Sequence, residues 1–121
     1  NEEALHYINA AHACLLPVKN NRVSPGSPLK LFDYIACGKP VIAQSDTEGY
    51  SDIVDEYNLG ICCDFVDSRA AAVAISRFLS DFNPDDYLSR NRAAAEGELN
   101  WSQVMAKWLE FGKSLRKTRR L

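Results

Sequence analysis

The stretch SPLKLFDYIACGKPV, residues 27–41, decides the fold because it encodes a complete helix with both of its ends. Ser27 is a good N-cap, since its hydroxyl can accept a hydrogen bond from a free amide of the first turn. Pro28 suits the first helical position, where its missing N–H costs nothing. Gly38 suits the left-handed position that ends a helix, and Pro40 prevents continuation. We therefore predict a helix between Ser27 and Gly38.

Apolar residues cover most of this helix, which predicts that it is largely buried; they are Leu29, Leu31, Phe32, Ile35 and Ala36. Its polar residues fall in one stripe, because their spacing follows the helical turn; they are Gly26, Lys30, Asp33 and Cys37. The stripe allows two interpretations. One is a solvated Lys30–Asp33 pair that stabilises the helix by roughly 0.2–0.5 kcal/mol. The other is a surface that meets a polar ligand.

Composition places the chain among ordinary globular proteins. Its 121 residues suffice for one domain with one core, and 46% of them are hydrophobic and 25% charged. The sequence has no long apolar run and no signal peptide. It begins at Asn1, inside sequence of helical character, so we expect a piece of a longer chain. We predict a single domain over 1–121, with a closing helix and basic tail over 98–121.

The four cysteines predict buried free thiols rather than disulfides or a metal site. They lack CxxC spacing, lie among apolar neighbours, and are Cys14, Cys37, Cys62 and Cys63. The chain has only two histidines, and neither is near a cysteine pair. Free thiols are typical of a reducing compartment, so we expect a cytoplasmic protein without a bound metal.

Charge is unevenly distributed along the chain. Five cations crowd the last nine residues, namely Lys113, Arg116, Lys117, Arg119 and Arg120. The rest has nine cations against sixteen acids, a formal charge of −7. A basic tail of this kind is either a solvated helix end or a contact with an anionic surface. No aromatic residue interleaves these cations, so we predict no nucleic-acid partner, while peripheral membrane contact stays open.

The order of elements predicts an α/β fold. Short apolar runs at residues 13–18, 41–44 and 61–65 suit strands covered on both faces, and helical sequence separates them. Alternating strands and helices give parallel strands with right-handed crossovers. We therefore predict a partial Rossmann-like open parallel sheet of about three strands flanked by helices. The first strand has an apolar edge without a partner, which predicts self-association.

The other helices have amphipathic patterns that predict their buried sides. Leu5, Ile8 and Tyr7 mark the inner side of a first helix over about 2–11, and a third helix covers about 50–57. A fourth helix, capped by Asp67 or Ser68, has its apolar side at Ala71, Ala74, Ile75, Phe78 and Leu79. Asn83-Pro84 separates it from a helix over 85–98. The last helix has one apolar stripe, and we expect Trp101 and Trp108 to anchor it to the domain.

Ligands of open α/β sheets bind beyond the carboxyl ends of the strands. Two loops, Val18–Ser27 and Ser45–Gly49, are expected at that edge, and both lead to helix N-termini that favour phosphate. A carboxylate such as that of Asp33 accepts two hydrogen bonds from a vicinal diol. We therefore expect a phosphate near Ser27–Lys30 and a polyol near Asp33.

At these residues the sequence resembles the C-terminal half of retaining glycosyltransferases of the GT-B fold, the large group 1 family. That family carries a segment like Ser-Pro-x-Lys-x-x-Glu-x-Met-Ala-x-Gly-x-Pro-Val, to which residues 27–41 are similar. The likeness extends to residues 7–17, 49–52, 60–61 and 100–102. The resemblance implies that the chain is the C-terminal part of a nucleotide-sugar-binding domain.

The resemblance also implies roles for single residues. Asp33 matches the second acid of a Glu-x7-Glu motif that holds the ribose hydroxyls of the donor, although Asp is one methylene shorter than Glu. The first acid falls at Pro25, which cannot serve. Backbone amides around Gly26, Ser27 and Leu29 match contacts to the donor phosphates, and Lys30 belongs to the same pattern. The Arg and Lys of the family that stabilise the leaving diphosphate lie upstream, so no catalytic residue is assigned here.

By this resemblance the intact protein transfers a sugar from a nucleoside diphosphate sugar to a glycan or lipid carrier, with retention and without a metal, as in polysaccharide biosynthesis. Its N-terminal acceptor domain is missing from this chain, which we expect to be inactive alone. Two alternatives stay open. One is a non-catalytic binding or assembly module with the same fold, and the other is a nucleotide-sugar epimerase of that fold.

Overall fold

A computed structural model describes residues 2–18 and 29–118, and its strands form one parallel sheet. The spatial order is β1-β2-β3, and the strands are β1 (Cys14–Leu16), β2 (Val41–Gln44) and β3 (Gly60–Cys63). The helices of the described residues are α1 (Glu2–Ala10), α2 (Leu29–Ala36), α3 (Ser51–Glu56), α4 (Ser68–Asp81), α5 (Pro84–Glu96) and α6 (Trp101–Thr118). The predicted α/β class, element order and parallel pairing are confirmed.

Side chains of the central strand alternate between two cores, one on each face of the sheet. Val41 and Ala43 point into the larger core, to which α2 and α3 contribute Leu31, Ile35 and Val54. Ile42 points into a smaller core with Cys63 and with Ala71 of α4. Because β1, β2 and β3 are adjacent in chain order, right-handed crossovers place α2 and α3 on the same face. The sheet is therefore a middle layer between helices.

The C-terminus of α2 has the conformation that the sequence predicts. Gly38 has a φ of +71°, in the left-handed region. The Gly38 N–H donates to Ile35 O at 2.9 Å, and the Lys39 N–H donates to Tyr34 O at 3.0 Å. This pair of bonds is the Schellman motif, which satisfies carbonyls that the helix itself cannot. The predicted N-terminus, Ser27 and Pro28, lies outside the described residues.

The prediction that α2 is largely buried is wrong for part of its surface. Leu31 and Ile35 are fully buried, whereas Leu29 is 62% exposed and Ala36 is exposed. An eight-residue helix that rests on one face of a sheet brings only one side to the core, and residues four apart share that side. The polar stripe of α2 therefore has exposed apolar neighbours.

Amphipathic sides of other helices are also less covered than predicted. Leu5 and Tyr7 of α1 are 42% and 71% exposed, and Leu79 of α4 is 43% exposed. Trp101 and Trp108 are 62% and 65% exposed, so the expected anchoring of α6 is wrong. The remaining predicted positions of α4 are buried or half-buried. A periodic pattern identifies the apolar side of a helix but not whether another element lies against it.

Helix α5 is held to the sheet by a buried asparagine that the sequence pattern does not reveal. The Asn91 side chain is fully buried. Its Nδ2 donates to Lys39 O at 2.8 Å and to Leu59 O at 3.0 Å. Lys39 and Leu59 lie within two residues of the starts of β2 and β3, so one amide fixes α5 against the amino ends of both strands.

Replacement of Gly38 by alanine should destabilise the domain by about 2–5 kcal/mol. The left-handed φ costs an L-residue about 1–2 kcal/mol, and overpacking costs about 1–3 kcal/mol more. A Cβ at Gly38 would lie 2.9 Å from the Leu88 Cα of α5. Gly49 is the matched control, since its φ is +82° but a Cβ there meets nothing within 4 Å. Urea unfolding of Gly38→Ala and Gly49→Ala would contradict this account if both lost equal stability.

The Asn91→Ala substitution should lower the free energy of unfolding by about 1–3 kcal/mol, because it removes two hydrogen bonds and leaves Leu59 O with only the Val41 N–H as donor. Arg92→Ala is the control, since the exposed Arg92 Nε donates only one long bond of 3.4 Å, to Ala36 O. We expect that variant to stay within about 0.5 kcal/mol of the parent. A loss for Asn91→Ala as small as that of Arg92→Ala, measured by urea unfolding, would show that the Asn91 bonds do not hold α5.

Candidate functional site

The chain leaving β1 lies beside the loop after β2 at the carboxyl edge of the sheet, where Val18 is the last described residue before the loop. Thr47, in the loop after β2, is 4% exposed. Its Oγ1 lies 3.3 Å from Val18 O and 3.4 Å from Ser45 O, so the hydroxyl donates to a carbonyl of either loop. This side chain therefore fixes the chain that leaves β1 beside the loop after β2.

The start of α3 is closed by its own hydrogen bonds. The N–H groups of Tyr50 and Ser51 donate to Thr47 O at 3.1 and 2.9 Å. Ser51 Oγ accepts from the Thr47 N–H and donates to Thr47 O, both at 3.0 Å. These groups are satisfied within the loop and are therefore not available to a phosphate.

The Asp64 carboxylate at this edge is engaged in hydrogen bonds within the protein. Asp64 follows β3, and its Oδ1 accepts from Gln44 Nε2 and from the Val66 N–H, each at 3.0 Å. These two hydrogen bonds hold the pKa of the Asp64 carboxyl below its usual value, and the bond from Gln44 contributes more than the bond from Val66. Asp64 thus orders the loop between β3 and α4 and is a poor candidate for ligand binding.

The polar stripe of α2 is exposed where the sequence predicts a ligand. Lys30 and Asp33 are both exposed, next to the exposed Leu29 at the start of the described helix. Between these two described side chains no ion pair forms within 4.0 Å. Gly26 and Ser27, the other two predicted site residues, lie outside the described part of the chain. Among the described residues, neither the Asp33 carboxylate nor the Lys30 ammonium has a hydrogen-bond or ion-pair partner.

Asp33 lines a surface cleft of about 510 Å³ whose opposite wall the sequence analysis did not assign to the site. Phe32 and Ala36 flank Asp33 on α2, while Leu99, just before α6, and Trp101, its first residue, line the other side. Asn100 Oδ1 accepts from the Ser102 N–H at 2.8 Å and so caps α6 beside the cleft. The only sequence signal for this wall was the Asn-Trp-Ser run, which indicates a helix start and not a cleft.

All four cysteines carry free thiols, as predicted. Cys14 and Cys63 are buried, and Cys37 and Cys62 are half-buried. Burial raises the pKa of Cys14 to about 11, with Lys39 opposing the shift. Burial is the main cause that raises the pKa of Cys62 to about 12, and the charge of Asp55 is the next largest. Both thiols stay protonated at neutral pH and therefore make poor nucleophiles or metal ligands.

The described residues contain no group of three or more His, Cys, Asp or Glu side chains that could hold a metal ion. None of their helices combines the length and apolar content that crossing a bilayer requires.

Most of the chain matches one known protein family. The family model for group 1 glycosyl transferases matches residues 1–95, most of the chain. The chain belongs to the group 1 glycosyltransferase family. The match includes the whole sheet, Lys30 and Asp33, and it ends before α6. No curated protein and no solved structure matches the chain. Membership of this family indicates that the domain serves in glycosyl transfer.

The raised pKa values of Cys14 and Cys62 should make the stability of this glycosyltransferase domain fall at alkaline pH. The folded state keeps the Cys14 and Cys62 protons to about pH 11 and 12, whereas unfolded thiols release theirs near 9.0. The stabilising contribution is therefore complete below pH 9 and is lost as pH rises towards 11–12. Each thiol contributes a slope of at most about 1.4 kcal/mol per pH unit.

Urea unfolding at pH 8 and pH 10 tests this dependence. The Cys14→Ala/Cys62→Ala variant is the reference, because it keeps the lysines and tyrosines that also titrate in this range. We expect the free energy of unfolding to fall more steeply for the parent than for the variant. Equal slopes would show that the two thiols ionise alike in both states.

Proposed function

We propose that this domain forms part of the donor site of a glycosyltransferase that uses a nucleoside diphosphate sugar. The observation that carries the proposal is the exposed Lys30–Asp33 stripe, which borders a cleft in a chain matched to the group 1 family. The acceptor would be a glycan or a lipid carrier, and the sugar would be transferred with retention of its anomeric configuration.

The chemistry of the stripe suits the two polar parts of such a donor. The Asp33 carboxylate can accept hydrogen bonds from both hydroxyls of a ribose, and charge-assisted bonds of this kind are about twice as strong as neutral ones. Lys30 lies one helical turn towards the N-terminus, where a cation and backbone amides favour a diphosphate. In this proposal the amides of Gly26, Ser27 and Leu29 contact the phosphates.

Stabilisation of the leaving diphosphate is the chemical demand of the reaction. Charge develops on that group in the transition state, and preorganised amides and cations lower the barrier. We propose that Lys30 and the amides before α2 supply part of this stabilisation and that no metal is needed. Further cations would come from an upstream region, so the chain alone would bind a donor without transferring sugar.

The sheet indicates where an upstream region would join. β1 lies at one edge of the described sheet, and its Leu15 is 51% exposed. We propose that another strand of the same domain covers this edge in the intact protein and that the acceptor domain precedes it. An uncovered β1 would instead pair with a second copy, because an edge strand leaves backbone groups unpaired.

A non-catalytic module with this fold is the second candidate. Pro25 stands where the resemblance implies an acid that contacts the donor sugar, and Asp33 is shorter than the Glu of the family segment. Both departures favour a chain that keeps the fold while losing the transfer reaction. Nucleotide binding separates the two candidates, since a pure assembly module has no need of it.

The Asp33→Ala substitution should weaken nucleotide binding at least about tenfold, because hydrogen bonds to a charged group contribute about 1.5–3 kcal/mol. Isothermal titration of the intact protein with UDP, GDP and ADP measures this. Asp33→Glu should retain most of the affinity, since it restores the longer acid of the family segment. Asp81→Ala is the control, because Asp81 is an exposed carboxylate at the end of α4.

Two results would count against the donor site. If the intact protein bound none of the three nucleotides, the assembly module would be favoured. If Asp33→Ala bound as tightly as Asp81→Ala, the ribose contact would have to lie elsewhere.

A further inference from the structure

A groove of about 550 Å³ lies at the β3 edge of the described sheet, between the end of α4 and the start of α5. β3 contributes Ile61 and Cys62 to its lining. Because neighbouring side chains of a strand point to opposite faces of a sheet, a groove that both residues line lies along the edge of the strand. None of its described lining residues also lines the cleft beside Asp33. We call this cavity the β3 groove.

Three aromatic side chains form one wall of the β3 groove. Phe78 of α4 and Phe82, which follows the last residue of α4, stack with their ring centroids 5.2 Å apart and their planes inclined by 17°. Tyr87 of α5 meets the Phe78 ring edge to face, at 5.6 Å. The three rings are half-buried, and the Arg90 guanidinium lies 5.0 Å from the centroid of the Tyr87 ring. Contacts within the protein therefore order this wall without a ligand.

The rim of the groove offers both hydrogen-bond donors and hydrogen-bond acceptors. Arg77 and Asp86 line it and are exposed, and among the described residues neither has a hydrogen-bond or ion-pair partner. Asn83 Oδ1 accepts from the Asp85 N–H at 3.0 Å, which leaves the Asn83 Nδ2 to donate to a ligand. A ligand in the groove would thus meet a cation, a carboxylate and an amide donor beside the aromatic wall.

The charges of the groove disfavour a strongly charged ligand. Its two arginines and two aspartates cancel, so neither an anion nor a cation gains a net attraction. The groove instead suits a ligand with apolar surface for the rings and with groups that donate and accept hydrogen bonds. A sugar has both, because its C–H groups form apolar faces and each hydroxyl can donate and accept.

We propose that the β3 groove binds a neutral glycan, with sugar rings against Phe78, Phe82 and Tyr87 and with sugar hydroxyls bonded to Arg77 and Asp86. The volume of the groove falls in the range of small-ligand sites, roughly 300–1,000 Å³. A domain that serves in glycosyl transfer encounters glycans, and a glycan chain held at a second place stays at a high effective concentration beside the enzyme. The site does not depend on the identity of the donor.

An extended peptide paired with the edge of β3 fits these features less well. Leu59 O and Cys63 O accept hydrogen bonds from N–H groups at the two ends of β2. Since alternate residues of a parallel strand bond to the same neighbour, only Gly60 and Cys62 of β3 direct their backbone groups to the free edge. A peptide would gain few main-chain bonds from two residues. A phosphorylated ligand would be opposed by the two aspartates of the groove.

Nuclear magnetic resonance of the full ¹⁵N-labelled chain tests for this site. The probes are three neutral hexasaccharides, namely maltohexaose, mannohexaose and chitohexaose, and the acidic hexagalacturonate. We expect at least one neutral probe to shift the amide signals of residues 74–90 saturably and to give nuclear Overhauser effects between sugar C–H protons and the three rings. Added salt should leave its affinity nearly unchanged, because the groove has no net charge.

Matched variants test the polar contacts. Asp86→Ala should lower the affinity for the bound hexasaccharide about tenfold, since a hydrogen bond to a charged group is lost. Asp85→Ala is its control, because Asp85 is exposed in the same first turn of α5 and does not line the groove. Arg77→Ala should weaken binding by a similar factor. Its control is Arg69→Ala, an exposed position of α4 outside the groove.

The proposal is overturned if none of the three neutral hexasaccharides shifts these amide signals, or if hexagalacturonate binds more tightly than they do. It is equally overturned if the groove variants bind like their controls. Shifts of residues 74–90 that grow with protein concentration in the absence of sugar would assign the groove to a second copy instead. The measurements on the parent chain need no variant to fold. Nucleotide titration tests the donor site separately, so the failure of one site is distinguishable from the failure of the other.

Discussion

Two hydrogen bonds from one buried amide set the arrangement of this domain. Asn91 reaches from α5 to the carbonyls of Lys39 and Leu59, which stand before β2 and β3. Among the described residues its Oδ1 has no hydrogen-bond partner. Burying an unpaired acceptor is costly, so the two donated bonds must outweigh that cost. The Asn91 amide thus holds α5 to the amino end of the sheet.

The two hydrogen bonds of Asn91 determine which residues α5 packs against. Helix α5 passes beside Gly38, where the backbone of Leu88 leaves no room for a Cβ. The same glycine closes α2 through its left-handed conformation, so the end of α2 and the position of α5 depend on each other. The direction of α2 in turn places Lys30 and Asp33. A contact at the amino end of the sheet therefore positions groups that belong to the opposite edge.

The two ends of the sheet consequently differ in character. The amino end is occupied by Asn91 and the packing around Gly38, whereas the carboxyl end consists of loops that Thr47 and Gln44 tie to their neighbours. The proposed donor site lies at the carboxyl end, where the exposed Lys30 and Asp33 stand near the start of α2. Helix α6 adds exposed apolar side chains and a positive charge beyond the part of the chain that the family matches.

The sequence by itself determined the order of elements, the parallel sheet and the helix ends that local chemistry controls. Gly38 ends α2, Asp67 caps α4 through the Ala70 N–H, and Asn83 caps α5 through the Asp85 N–H, because caps depend on residues a few positions apart. Membership of the glycosyltransferase family also follows from the sequence.

Only the tertiary structure decided which apolar residues are covered and which polar ones are buried. Tyr7, Leu29 and Trp108 have the periodicity of core positions yet are exposed, whereas the polar Asn91 is fully buried. Whether a side chain is buried depends on what lies opposite it, and that partner is set by contacts between residues far apart in the chain. The bond between Thr47 and Val18 spans 29 positions and left no local pattern in the sequence.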